Sequence, residues 1–183
     1  MTAPTSCPGC GALLPAVDGP THRYIGASPA CWAIYTALMV DEPPLAPTPS
    51  SPLLVDAYAA QHPGLPSPQS IQSVAVHLLT LYGVLVRGAA PAAALQIRLR
   101  AVGAMDGAKG ARKHGRYTWL TPPLFAGSLT VAQVAQGPTA QERATLAERY
   151  VREVWACWAP RYGATIARWY DEFGSYTRAE VGP

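Results

Sequence analysis

Residues 139–173, TAQERATLAERYVREVWACWAPRYGATIARWYDEF, decide the fold class. Thr139-x-x-Glu142 is a capping box, in which a hydroxyl and a carboxylate three residues apart satisfy each other's backbone amides at a helix start. Behind it Leu146, Tyr150, Val154, Trp158, Ile166 and Trp169 fall at helical spacings and predict an inward face. The reading is one long helix reaching about Phe173. Pro160 should kink or break it, because proline removes a backbone donor and clashes with the preceding turn. Trp155, Trp158, Tyr162, Trp169 and Tyr170 give it an aromatic stripe of the kind that mostly fills cores.

Working outward, every other periodic segment also reads as helix. Ser28-Pro29 starts one that stops near Asp41, with serine as N-cap and proline at the first helical position. Residues 53–61 form a short apolar helix that His62-Pro63-Gly64 ends, since a residue before proline is pushed out of the helical region. Ser67-Pro68 opens a long helix to about Arg87, with Gly88 as its C-cap. Pro91 opens an alanine-rich helix to about Val102, and Ser128 or Thr130 caps a short one over 131–136. No strand is predicted. The expected fold is mainly α, a helical bundle over 53–173 in a single domain. A proline-rich connector, 42–52, joins it to an irregular zinc-knuckle segment at 1–31, and 174–183 forms a frayed tail. The glycine-rich stretch 103–116, with Lys109, Arg112, Lys113, His114 and Arg116, reads as a mobile basic loop.

Composition narrows the function classes. The chain has 183 residues, 49% of them hydrophobic and only 14% charged, which argues against disorder along its whole length. Gly 16 and Pro 19 mark a chain with many breaks. A net charge of +3 is too small to predict nucleic-acid binding. The most apolar stretch, 71–86, is interrupted by Gln72, Ser73, His77 and Thr80 and suits a buried helix better than a membrane span. The expected protein is soluble and cytoplasmic, so its cysteines meet a reducing compartment, where a Cys-x-x-Cys pair more often binds metal than forms a disulfide.

Cys7-Pro8-Gly9-Cys10-Gly11 is that pair. Two thiolates two residues apart reach one ion from a single turn, and Gly9 and Gly11 permit the tight backbone of a zinc knuckle. Two further ligands complete a tetrahedron. Cys31 falls in the first turn of the helix capped by Ser28, where the N-terminus favours a thiolate. The expected set is Cys7, Cys10, His22 and Cys31 around Zn2+, with His62 and His77 as alternatives to His22. Three sulfurs and one imidazole leave no position for water and make the zinc structural.

A second polar group lies on the apolar helices. Ser70, Ser73, His77 and Thr80 form one stripe. If the two helices run antiparallel, rises of roughly 9 and 14 Å from the turn bring Asp56 level with His77, while His62 stays near the turn. Asp56 would then fix the tautomer of His77.

The segments CPGCGALLP, GPTHRY, SPACW, VDAYAAQHPG, SIQSVAVHL and LTPP with GSLTVAQV together resemble a bacterial family of unknown function. The resemblance covers residues 7 to about 160 and places Cys7, Cys10, His22, Cys31, Asp56, His62 and His77 inside the family's motifs. It implies no activity. The chain departs from it in the proline-rich 42–52 stretch, where a more helical segment is expected. The functional expectation is a small zinc-binding helical protein of unassigned activity, with a small molecule or a protein as partner. The alternative is a metal-dependent hydrolase or transferase, similar in outline to DinB-like helical metalloenzymes, with a pocket near Asp56, His62 and His77.

Overall fold

The computed structural model describes residues 3–40, 51–103 and 116–175. Among these it is mainly helical, as its sequence implies. The helices are α1 (Pro29–Val40), α2 (Leu54–Gln61), α3 (Pro68–Leu85), α4 (Ala94–Ala101), α5 (Val131–Ala135) and α6 (Ala140–Trp169). Each predicted helix is present within a few residues of its expected bounds. Short 3-10 turns, Ser51–Leu53 and Pro91–Ala93, lead into α2 and α4. Most of the 42–52 connector, nearly all of the basic loop and most of the 174–183 tail lie outside the described residues.

The capping signals act as read. The Ser67 hydroxyl accepts the Ser70 amide at 3.1 Å. Thr139 and Glu142 form the full box, with the Thr139 amide donating to Glu142 at 3.1 Å and the Glu142 amide donating to the Thr139 hydroxyl at 3.2 Å. Gly88, just past α3, takes the left-handed φ of 70° that its capping role requires. The π-helical turn Tyr170–Gly174 ends α6.

Two readings are sharpened. Of the kink or break expected at Pro160, the break does not occur, and α6 runs through it. Pro160 and Ala156 both lie on the exposed face, so the Ala156 carbonyl that loses its helical donor is open to water. The N-terminal segment is irregular, as expected, apart from one short strand pair that was not predicted. Strands β1 (Thr5–Ser6) and β2 (Leu13–Leu14) pair antiparallel, Thr5 with Leu14 and Ser6 with Leu13, and bracket the Cys-x-x-Cys turn. Two-residue strands are too short to show a period, which is why the sequence hid them.

Helix α3 packs against α2, α4 and α6, and α2 also packs on α6. Its centre, Leu78, Leu79 and Leu81, is fully buried, as are Trp158 and Ile166 from α6. The aromatic stripe of α6 belongs to this core. Trp158 adds a polar anchor, since its Nε1–H donates to the Ala60 carbonyl at 3.1 Å and fixes the end of α2. Gln61 adds another, donating from Nε2 to the Leu129 carbonyl at 2.8 Å. The C-terminus of α2 is thus held from two sides.

Candidate metal centre

The knuckle is built by its local chemistry. The Gly11 amide donates to the Cys7 carbonyl at 2.9 Å and the Cys7 amide to the Ala12 carbonyl at 2.8 Å, closing the turn. Gly11 sits at φ 76°, a left-handed angle that glycine adopts without strain. Ser28 then joins the turn to α1. Its hydroxyl accepts the Cys31 amide at 3.3 Å, the expected N-cap, and its own amide donates to Cys7 Sγ at 3.4 Å.

The fourth member comes from α2. Pro63 forces His62 out of the helix at φ −121°, ψ 53°. The His62 carbonyl accepts the Gly26 amide at 2.8 Å, and Ile25 and Pro63 form an antiparallel bridge. This pairing lays the knuckle against the end of α2, and small residues allow it. A Cβ on Gly9 would lie 2.5 Å from His62 Cδ2 and 2.8 Å from the Gly26 carbonyl oxygen. A Cβ on Gly26 would lie 2.5 Å from the Pro63 oxygen.

Cys7, Cys10, Cys31 and His62 therefore converge, all buried, with one donor atom of each within 4.8 Å of the others. Cys10 Sγ lies 3.9 Å from Cys31 Sγ, and Cys31 Sγ lies 3.3 Å from His62 Nε2. Donors at tetrahedral angles, 2.0–2.3 Å from one ion, stand about 3.5–3.8 Å apart. The group could hold a metal ion. His62 Nδ1–H donates to the Tyr58 carbonyl at 2.8 Å, which leaves Nε2 facing the sulfurs, the outer-shell arrangement common to metal-bound histidines. The Tyr58 hydroxyl donates to Cys31 Sγ at 3.7 Å. Burial first, and the neighbouring Cys31 next, push its pKa well up and keep it protonated as a donor.

Electrostatics point the same way. Hydrogen bonding to Cys10, and next to Cys31, holds the Cys7 thiol far below its ordinary pKa, while Cys10 and then Cys7 push Cys31 far above its own. Burial disfavours charge on His62, but bonding to the sulfurs of Cys10 and Cys7 outweighs it and raises its pKa to about 9. The pocket thus favours a thiolate at Cys7 and resists a second at Cys31, which a bound cation would favour.

His22 is not part of the group. Its exposed ring packs on Tyr24 and Trp32, with centroids at 5.4 and 5.6 Å, and its Nδ1 accepts the Tyr24 amide at 3.3 Å. Nearness in sequence to the knuckle misleads here, because backbone pairing at Gly26 and Ile25 brings in α2 instead.

The second polar group forms as predicted and is larger. His77 Nδ1 lies 2.8 Å from Asp56 Oδ1. The other Asp56 oxygen receives Arg98 NH1 from α4 at 2.7 Å, a partner that sequence reading missed. The only signal for it was a carboxylate on an otherwise apolar helix face, which demands a cation. Asp56, His62 and His77 are thus divided between two sites. A cleft of about 950 Å³ borders the knuckle, lined by Cys7, Cys10, Leu13, Phe125 and Gln133 among others, and by none of those three.

A family model described as a family of unknown function, DUF5946, matches residues 5–159. The chain belongs to that family. The DUF5946 match begins at β1 and ends inside α6, so it takes in the knuckle, all four converging side chains and the Asp56 group. No curated protein and no solved structure matches the chain. No helix among the described residues is long and apolar enough to cross a membrane.

Gly9 separates packing from backbone strain. Gly9→Ala should weaken metal binding at least about ten-fold, the size of effect seen when outer-shell support of a site is lost. Gly11→Ala, whose Cβ would meet nothing within 4 Å, should cost only its left-handed strain of about 1 kcal/mol. Competition with a chromophoric chelator measures the first, and urea unfolding measures the second.

Proposed function

We propose that the chain is a zinc protein in which Cys7, Cys10, Cys31 and His62 form a closed structural centre. The convergence of three buried thiols with a histidine whose tautomer is already fixed carries this reading. Thiolate and imidazole ligands suit zinc among the available divalent ions. A complete protein shell leaves no position for water, so the ion acts on folding rather than on a substrate. It fastens three separate pieces: the β1–β2 hairpin, the start of α1 and the end of α2. The hairpin has two-residue strands and could not hold its shape alone.

The division of Asp56, His62 and His77 between two sites supports this reading over a metallohydrolase or transferase. Both Asp56 oxygens are taken, by His77 and by Arg98. The test is metal analysis of the purified chain together with chelation. The expected result is one zinc per chain, and its removal should expose the segment before α1 to proteolysis. A metal-free chain that resists proteolysis equally well would refute the proposal.

A further inference from the structure

The three sulfurs of the centre are not equivalent. Among the described residues, Cys7 Sγ receives the amide of Ser28 at 3.4 Å. Cys31 Sγ receives the Tyr58 hydroxyl and is fully buried. No backbone amide or hydroxyl among the described residues donates to Cys10 Sγ. Cys10 also retains the most exposure, 7% against 2% for Cys7 and 0% for Cys31; Cys7 and Cys10 both line the cleft of about 950 Å³, and Cys31 does not. Hydrogen bonds to a thiolate draw off its charge and lower its nucleophilicity. Of the two sulfurs on the cleft, Cys10 therefore keeps more nucleophilic character, because Cys7 alone carries an amide and is the more buried.

The cleft limits what can arrive. No charged side chain lines it; its walls are proline, leucine, phenylalanine, serine, threonine and glutamine, with Leu13 and Leu124 exposed. Its volume falls in the range of small-molecule sites. A divalent ion held by three thiolates and a neutral imidazole carries a net negative charge, which repels anions and favours attack on soft carbon centres.

We propose that Cys10 is a ligand-centred nucleophile, reacting with neutral alkylating electrophiles that enter this cleft. The inference rests on the zinc reading above. In the step, Cys10 Sγ attacks the electrophilic carbon, the S–C bond forms, and the bond to the leaving group breaks with its electron pair departing on that group. No proton moves. The product is a neutral thioether, a poorer ligand than the thiolate it replaces, so alkylation loosens the zinc.

The test uses the full-length, zinc-loaded chain carrying Cys157→Ser, which removes the half-buried thiol outside the centre. Iodoacetamide and iodoacetate are compared, with peptide mass mapping and zinc release followed together. The expected result is carbamidomethylation of Cys10 at least ten-fold faster than of Cys7 or Cys31, with zinc released in step. Iodoacetate should be disfavoured ten-fold beyond its ratio to iodoacetamide on free cysteine. A zinc-loaded chain whose Cys10 stays intact, or whose three thiols react alike, or which takes the anionic reagent equally well, overturns the inference alone. A chain that takes up no zinc overturns the centre itself.

Discussion

Cys31→Ser should abolish stoichiometric zinc binding and lower the midpoint of thermal unfolding by about 10 °C. Cys31 is fully buried, within 3.9 Å of Cys10 Sγ and 3.3 Å of His62 Nε2, so the substitution leaves the other donors facing each other without an ion. Removing one partner from a buried charged group costs about 3–5 kcal/mol. For a chain of this size each kcal/mol moves the midpoint by about 2–4 °C. Differential scanning calorimetry with and without added zinc reads the effect. Wild type should respond to zinc and Cys31→Ser should not. Cys157→Ser, outside the cluster, should retain the wild-type response. A Cys31→Ser chain that still binds one zinc and unfolds at the wild-type midpoint would contradict the account.

Asp56→Ala should destabilise by about 3 kcal/mol, toward the low end of the cost of breaking a buried ion pair. The carboxylate is fully buried while the side chains of His77 and Arg98 keep 17% and 23% of their exposure, so solvent relieves part of the loss. Arg98 would lose its carboxylate partner across the α2–α4 boundary. His77→Ala should cost less, about 1–2 kcal/mol, because it removes a single hydrogen bond and leaves Asp56 paired with Arg98. Urea midpoints at constant m-value measure both. An Asp56→Ala chain within 0.5 kcal/mol of wild type would show that this group does not tie the helices together, since changes of about that size are ordinary at surface positions.

Particular residues show why the helices and part of the site were legible. Caps act locally, so Ser28, Ser67 and the Thr139–Glu142 box declared their helices without knowledge of the fold. Cys7, Cys10 and Cys31 were legible for a related reason: the knuckle turn and the first turn of a helix are local settings that suit thiolates. The fourth member was not. His22 and His62 are both histidines near prolines and glycines, and the choice between them rests on a backbone pairing between residues 25–26 and 62–63 that no local pattern encodes. The His62-Pro63-Gly64 end of α2 was read correctly as a helix stop. The same bend aims the imidazole at the sulfurs, a consequence visible only once Gly9 and Gly26 are seen to admit the close approach. Asp56 and His77 could be matched by helical rise alone, whereas Arg98 lies on a third helix whose placement the sequence leaves open.

The most direct test is X-ray absorption at the zinc edge on the purified, zinc-loaded chain. The account predicts one zinc per chain with three sulfurs at about 2.3 Å, one nitrogen at about 2.0 Å and no water oxygen, and loss of the nitrogen in His62→Ala but not in His22→Ala. A shell dominated by oxygen and nitrogen, or a nitrogen that persists in His62→Ala and disappears in His22→Ala, would contradict it.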